Sequence, residues 1–161
     1  MEELALARNL KDEIKMNRGF ASLELEALLN IAYASEQFQQ SGNTLFSEHG
    51  LTRPLYNALR ILRGGPKEGI RSLDILERMV FGTPDITRLI DNLEKNGYAK
   101  RERYSQDRRV VYVLITEKGR KLLSKLDRST SELAKQLLGH MSQSKLKQIS
   151  KLMVEVRARS D

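Results

Sequence analysis

The side chains with the most chemical information in this chain are cations, and their arrangement suits recognition of an anion rather than bond making or breaking. Thr83, Thr87, Arg88, Asp91 and Lys95 recur every one to four residues along one stretch, and Lys100, Arg101, Arg103, Arg108 and Arg109 follow closely. A guanidinium offers a planar fork of donors that matches phosphate oxygens or the two acceptors on a guanine edge. An ammonium neutralises phosphate as a point charge and carries no sequence information. The formal net charge of +7 and pI near 9.7 point the same way, towards a polyanionic partner.

Other chemistries lack their residues. Cysteine is absent, which removes disulfides, thiolate metal sites and thiol redox switching together. The two histidines, His49 and His140, stand far apart with no ligand spacing around either, so no metal or cofactor is expected. Gly64-Gly65-Pro66 lacks the lysine-serine ending of a phosphate-binding loop and reads as a turn. There is no cysteine nucleophile and no phosphate-cradling glycine loop, and an enzyme is not expected. No apolar run approaches the length that spans a bilayer. The start, Met1-Glu2-Glu3-Leu4, is acidic where a signal peptide would be basic, so a cytoplasmic protein is expected.

The elements that must hold these cations can be read from apolar spacing. Leu4, Ala7, Leu10 and Ile14 predict an amphipathic helix over residues 3–18, and Gly19 interrupts it. Ser22 predicts an N-cap for a helix carrying Leu25, Leu28, Leu29, Ala32 and Phe38, ended by Ser41-Gly42-Asn43. Thr52 caps the next helix, with Pro54 in its first turn and Leu55, Leu59 and Leu62 on its buried face. Ser72 is expected to cap a short helix with Leu73, Leu76, Met79 and Val80 turned inward. Thr83-Pro84-Asp85 then reads as cap, first and second positions of another helix.

In that last helix Ile86, Leu89, Ile90 and Leu93 fall at i, i+3, i+4 and i+7, a stripe that can pack on one side only. The opposite side presents Arg88, Asp91 and Lys95, flanked by Thr87 and Asn92. Two helices joined by a tight turn, the second short and polar outside, make the helix-turn-helix pattern. Residues 98–103 and 109–115 read as strands joined at a polar tip, Tyr104 to Arg108. Thr116-Glu117 opens a long leucine-rich helix, Gly139 and Ser142 mark a break, and a last helix carries Leu146, Ile149, Leu152, Met153 and Val156. The fold class expected is mainly α with a small β-hairpin (α+β), integrated as a single unit over 1–161.

This order resembles a winged helix-turn-helix, and residues 51–119 resemble the MarR family of regulators. The resemblance rests on Leu51-Thr52, Leu59-Arg60-Ile61-Leu62, Thr87-Arg88-Leu89-Ile90-Asp91 with Leu93-Glu94-Lys95-Asn96-Gly97, Asp107-Arg108-Arg109, and Ile115-Thr116-Glu117-Lys118-Gly119. It implies a DNA-binding lobe over 51–119 and flanking helices, 3–40 and 120–158, that intertwine as a homodimer. It further implies a transcription regulator, most often a repressor, released from DNA in many members by a small ligand.

Within that frame the sites divide by chemistry. Thr83, Thr87 and Arg88 lie where a helix in the major groove meets base edges, with Arg88 suited to guanine. Asp91, repelled by phosphate, is expected to orient a neighbouring arginine or lysine. Lys95, Lys100 and Arg101 are expected on phosphates, and Arg53 could reach one too. Arginine at a hairpin tip suits a narrow minor groove. The family implies that Arg109 enters it, held by Asp107, with Arg108 beside it. Tyr33, Phe38, Phe46 and Tyr56 could line the family's effector pocket, although buried aromatics also serve as plain core. Two-fold symmetry would set the recognition helices about 34 Å apart on a pseudo-palindromic duplex. The rival reading is a winged helix that binds a partner protein without specific DNA binding.

Overall fold

A computed structural model describes residues 9–80, 85–103 and 111–158. The chain forms two compact units, Met1–Ser41 and Gly42–Asp161.

In the first unit, α1 (Leu10–Glu13) starts where the Asn9 side chain accepts from the Asp12 N–H (2.9 Å). The helix expected over 3–18 is therefore one turn among the described residues, ended where Lys15 adopts a left-handed φ of 54°. Ser22 caps α2 as expected, its Oγ accepting from the Leu25 N–H (3.2 Å). The end of α2 differs from expectation: the helix spans Leu23–Ser47 and runs straight through Ser41-Gly42-Asn43. The Ser41 hydroxyl donates back to the Gln37 carbonyl (3.1 Å) instead of breaking the helix. Beyond Gly42, Leu45 and Phe46 join the core of the second unit, and that packing outweighs the weak propensity of the segment.

The second unit holds the main core. Thr52 caps α3 (Arg53–Arg63), Pro54 lies in its first turn, and Gly64 follows its last residue. Leu55, Ala58, Leu59 and Leu62 of α3 meet Ile75 of α4 (Ser72–Glu77) and Leu89, Ile90 and Leu93 of α5 (Ile86–Lys95). Leu123 and Leu126 of α6 (Glu117–Leu138) complete the cluster. Beside it lies a three-stranded antiparallel sheet of order β1-β3-β2: β1 is Ile70–Arg71, β2 Ala99–Arg103 and β3 Val111–Ile115. The hairpin register pairs Ala99 with Ile115 at its root and Arg103 with Val111 towards its tip. Strand β1 pairs Ile70 with Val113, and two residues are too few to show an alternation in the sequence. Gly69 leads into it at φ 97°, with the Val113 carbonyl 2.9 Å from where a Cβ would stand, so both backbone angle and space demand glycine.

Helix α4 departs from the expected packing. Ile75 is fully buried, whereas Leu73 and Val80 are 68% and 77% exposed and Leu76 is also exposed; only Met79 of the expected set packs on the core. The helix stops at Glu77, so a 3.6-residue period carried on to Val80 does not describe it. Ser72 is its first residue rather than its cap. Arg71, extended because it belongs to β1, takes the cap position, and its guanidinium forms a bidentate pair with Asp74 (2.7 and 2.8 Å). Thr116 caps α6 and Ser142 caps α7 (Gln143–Arg157). None of the α7 residues is buried within the chain, and Ile149, Leu152, Val154 and Val156 are exposed.

Candidate nucleic-acid interface

Helix α5 is fixed from its apolar side. Ile90 and Leu93 are wholly enclosed, Leu89 nearly so, and Ile86 packs against the same cluster. Burial of that stripe leaves Thr87, Arg88, Asp91, Asn92 and Lys95 on the other side, as the spacing requires. The start of the helix differs from expectation. Asp85 is the N-cap, its carboxylate accepting from the Arg88 N–H (2.9 Å), and α5 begins at Ile86. Asp85 is thus occupied with the helix terminus. Thr83 lies outside the described residues, as do Asp107, Arg108 and Arg109.

The neighbours of α5 set its angle. Asn57, buried on α3, accepts the Val80 N–H through Oδ1 (2.8 Å) and so ties down the chain leaving α4. At the other end Gly97, at φ 72°, turns the chain into the sheet. The Thr116 hydroxyl donates to the Gly97 carbonyl (2.6 Å), and the Lys118 ammonium donates to the Asn96 carbonyl (2.8 Å) while standing 5.1 Å over the Tyr98 ring. The end of α5 is thereby stitched to the start of α6. Neither Asn57 nor Thr116 stood out as a site residue in the sequence. A lone asparagine within the Leu55–Leu62 stripe is a legible sign of a buried acceptor.

The cations differ in how free they are. Arg101, in the middle of β2, is part-buried and its Nη1 pairs with Asp91 (2.6 Å) and with Glu94. Its backbone N–H donates to Glu94 Oε1 (2.6 Å), and Nη2 donates to the Thr87 carbonyl (3.4 Å). Burial pulls its pKa down, but the hydrogen bonds to Asp91 and Glu94 outweigh this and hold it above the ordinary arginine value. Asp91, expected to orient a neighbouring arginine or lysine, has the Arg101 guanidinium as its ion-pair partner. Lys100 is paired with Glu102. Among the described residues Arg88, Lys95 and Arg103 have no ion-pair partner. Arg88 also lines a groove with Thr52, Pro54, Leu55, Asp85, Leu89 and Asn92, between the starts of α3 and α5.

The aromatic set is split. Phe46 and Tyr56 are buried and stacked with ring centroids 4.3 Å apart, while Tyr33 and Phe38 are exposed residues of the first unit. Stacking inside the core is what holds Phe46 and Tyr56.

A short α4, an α5 polar on its outer side and the antiparallel β2–β3 pair are the described parts of a winged helix-turn-helix lobe. A family profile described as transcriptional regulator SarA/Rot matches residues 40–126, more than half the chain. A MarR transcription factor from Planctomyces limnophilus is 36% identical, with a TM-score of 0.66 over 84% of this chain and 98% of its own. The chain belongs to the MarR family of winged-helix transcriptional regulators. The MarR-family regulator Sco3205 of Streptomyces coelicolor, solved in complex with DNA, shares the fold at 17% identity, with a TM-score of 0.76 over 88% of this chain and 90% of that one. The HTH-type transcriptional regulator TtmR of Methylorubrum extorquens is 31% identical over 106 residues, 66% of this chain. That match spans about half of the relative's length, 53%. In this MarR-family lobe α5 occupies the place of the recognition helix and the β2–β3 hairpin that of the wing.

Proposed function

We propose that this protein is a sequence-specific, duplex-DNA-binding transcription regulator that acts as a homodimeric repressor on a pseudo-palindromic operator. The observation that carries the proposal is the sidedness of α5. Its apolar stripe is buried, and its outer side offers Thr87, Arg88 and Lys95 beside a basic hairpin, the two cations without an ion-pair partner among the described residues. A helix so presented fits the major groove, with Arg88 on a guanine edge and Lys95 on phosphate. Thr83, Asp107, Arg108 and Arg109 join this surface in the proposal. Arg109 is assigned to the minor groove and Asp107 to holding it.

Pairing of two copies is supported by the apolar residues that the terminal helices leave exposed: Leu23, Leu28 and Phe38 on α2, and Ile149, Leu152 and Val156 on α7. Release by a small ligand is part of the proposal, and the groove that Arg88 lines with Pro54, Leu55, Asp85 and Leu89 is a place where an occupant would meet the recognition helix. Among the described residues no helix is long and apolar enough to cross a membrane. The proposed location is the cytoplasm, where the operator is.

The test is selection of bound fragments from randomised duplex DNA and from the host genome near physiological salt, with Arg88→Ala and Arg109→Ala in parallel. The expected result is a pseudo-palindrome with half-sites about one helical turn apart, lost in both variants. Loss of one bidentate base contact is expected to cost about 1–3 kcal/mol of specific affinity. Enrichment indifferent to both arginines, or none at all, would overturn the proposal in favour of a winged helix that binds protein.

A further inference from the structure

Resting on the DNA-binding reading above, we propose that Arg101 is a positioning residue that locks strand β2 of the wing to the recognition helix, and that specificity depends on this lock. Among the described residues, every group that engages its guanidinium belongs to α5: the carboxylates of Asp91 and Glu94 and the carbonyl of Thr87. These three residues lie on successive turns of one side of the helix, so one guanidinium bridges adjacent turns. The grip is doubled through the backbone, because Glu94 also accepts the N–H of Arg101 itself, a group in β2. Glu94 therefore holds both ends of the arginine.

Charge makes the same point. A phosphate contact needs a cation whose charge is available to displace counterions. Arg101 lies against two carboxylates with 29% of its side chain exposed, so its field is cancelled before DNA arrives. Lys95, on the same helix, has no such partner among the described residues.

The consequence is geometric. A dimeric winged helix must insert helix and hairpin into two different grooves at once, and the relative placement of the two is what a wrong sequence fails to satisfy. Non-specific binding, which is carried by phosphate neutralisation, does not need that placement. Arg101 acts on the ratio between the two modes. A guanidinium suits the task because its rigid fork reaches three acceptors from one plane; an ammonium keeps the charge without the geometry.

The test measures the affinity of the full-length protein for its selected operator and for random duplex across graded salt. Arg101→Ala, Arg101→Lys, Glu94→Gln and Lys95→Ala are compared with the parent. Arg101→Ala is expected to lower the specific-to-random ratio by about tenfold or more, the loss typical of one bridging interaction of about 1.4 kcal/mol. Its salt slope should stay unchanged, and Arg101→Lys should not restore the ratio. Lys95→Ala should reduce the slope by about one unit. Glu94→Gln gives the sharpest reading, because it removes a negative charge and would tighten DNA binding if charge alone mattered. Here it should lower the ratio, and as a near-isosteric change it covers the case in which Arg101→Ala does not fold.

A slope that falls by about one unit in Arg101→Ala, with rescue by lysine, would make Arg101 a phosphate contact and overturn the inference. So would an Arg101→Ala protein of lowered melting temperature whose folded fraction keeps the parent ratio. A parent protein with no preferred sequence removes the proposed function first, and this inference with it.

Discussion

Gly119 sits in the first turn of α6, where propensity and packing make opposite demands, and Gly119→Ala measures which prevails. In an open helix, alanine is favoured over glycine by about 1 kcal/mol. Here a Cβ on residue 119 would stand 2.3 Å from the Tyr98 carbonyl oxygen and 2.9 Å from Ile115 Cγ1. The contact with the oxygen is about 1 Å inside an ordinary contact near 3.5 Å. The oxygen cannot swing aside, since it belongs to the backbone and already accepts the Thr116 N–H (3.0 Å). Overpacking of a well-filled site costs about 1–3 kcal/mol, and a backbone obstacle argues for the top of that range. The net expectation is a loss of about 2 kcal/mol, or roughly 4–8 °C in melting temperature for a chain of this length. Gly42→Ala is the matched control. Gly42 is also helical and buried, but its nearest neighbours to a Cβ are side-chain atoms at 3.7 and 3.8 Å, so the propensity gain should appear as a rise of about 1–4 °C. Thermal and urea unfolding followed by circular dichroism reads both. A Gly119→Ala protein as stable as the parent would refute the claim that the close approach of α6 to the Tyr98 carbonyl is fixed.

Two further outcomes follow from particular contacts. Asn57→Ala leaves the Val80 N–H without its acceptor, at a cost of about 1–3 kcal/mol; urea unfolding checks it, and an unchanged midpoint would mean that water or another group takes over. Asp127 accepts both branches of the Arg63 guanidinium (2.7 and 2.9 Å), and this hydrogen bonding holds its pKa below the usual carboxylate value. A depressed carboxylate stabilises the fold above its unfolded pKa, near 3.9, and that contribution disappears as pH falls through the lower folded value. The stability gap between parent and Asp127→Asn should therefore be full at neutral pH and close on acidification below about pH 4; a gap that stays constant in titrated urea unfolding would contradict the assignment.

What the sequence made legible is what depends on a repeated period or a local cap. The α5 stripe, the Ser22, Thr52 and Thr116 caps and the hairpin all stand where their residues put them. Each is decided within a few residues by side-chain spacing or a hydroxyl near a free N–H. The misreadings share a different cause. Gly42 resembles a helix breaker until Leu45 and Phe46 find the core, and Leu73 and Val80 resemble core until α4 ends too early to turn them inward. Strand β1 exists only because Val113 offers it an edge. These are tertiary decisions, and spacing along the chain does not encode them.

The same distinction governs the site. A count of cations around α5 and the hairpin treats Arg88, Lys95, Lys100, Arg101 and Arg103 as equals. Folding separates them, because Asp91, Glu94 and Glu102 lie close enough to claim two of the five. Acids among bases on such a surface look like dilution of a DNA-binding charge. Glu94 and Asp91 instead convert one cation from a counterion-displacing group into a structural one. The salt dependence of binding should then be shallower than the sequence suggests, by about 0.9 unit for each phosphate contact forgone. Specificity gains what non-specific affinity gives up, since a rigid pair of reading elements discriminates by shape where free cations do not.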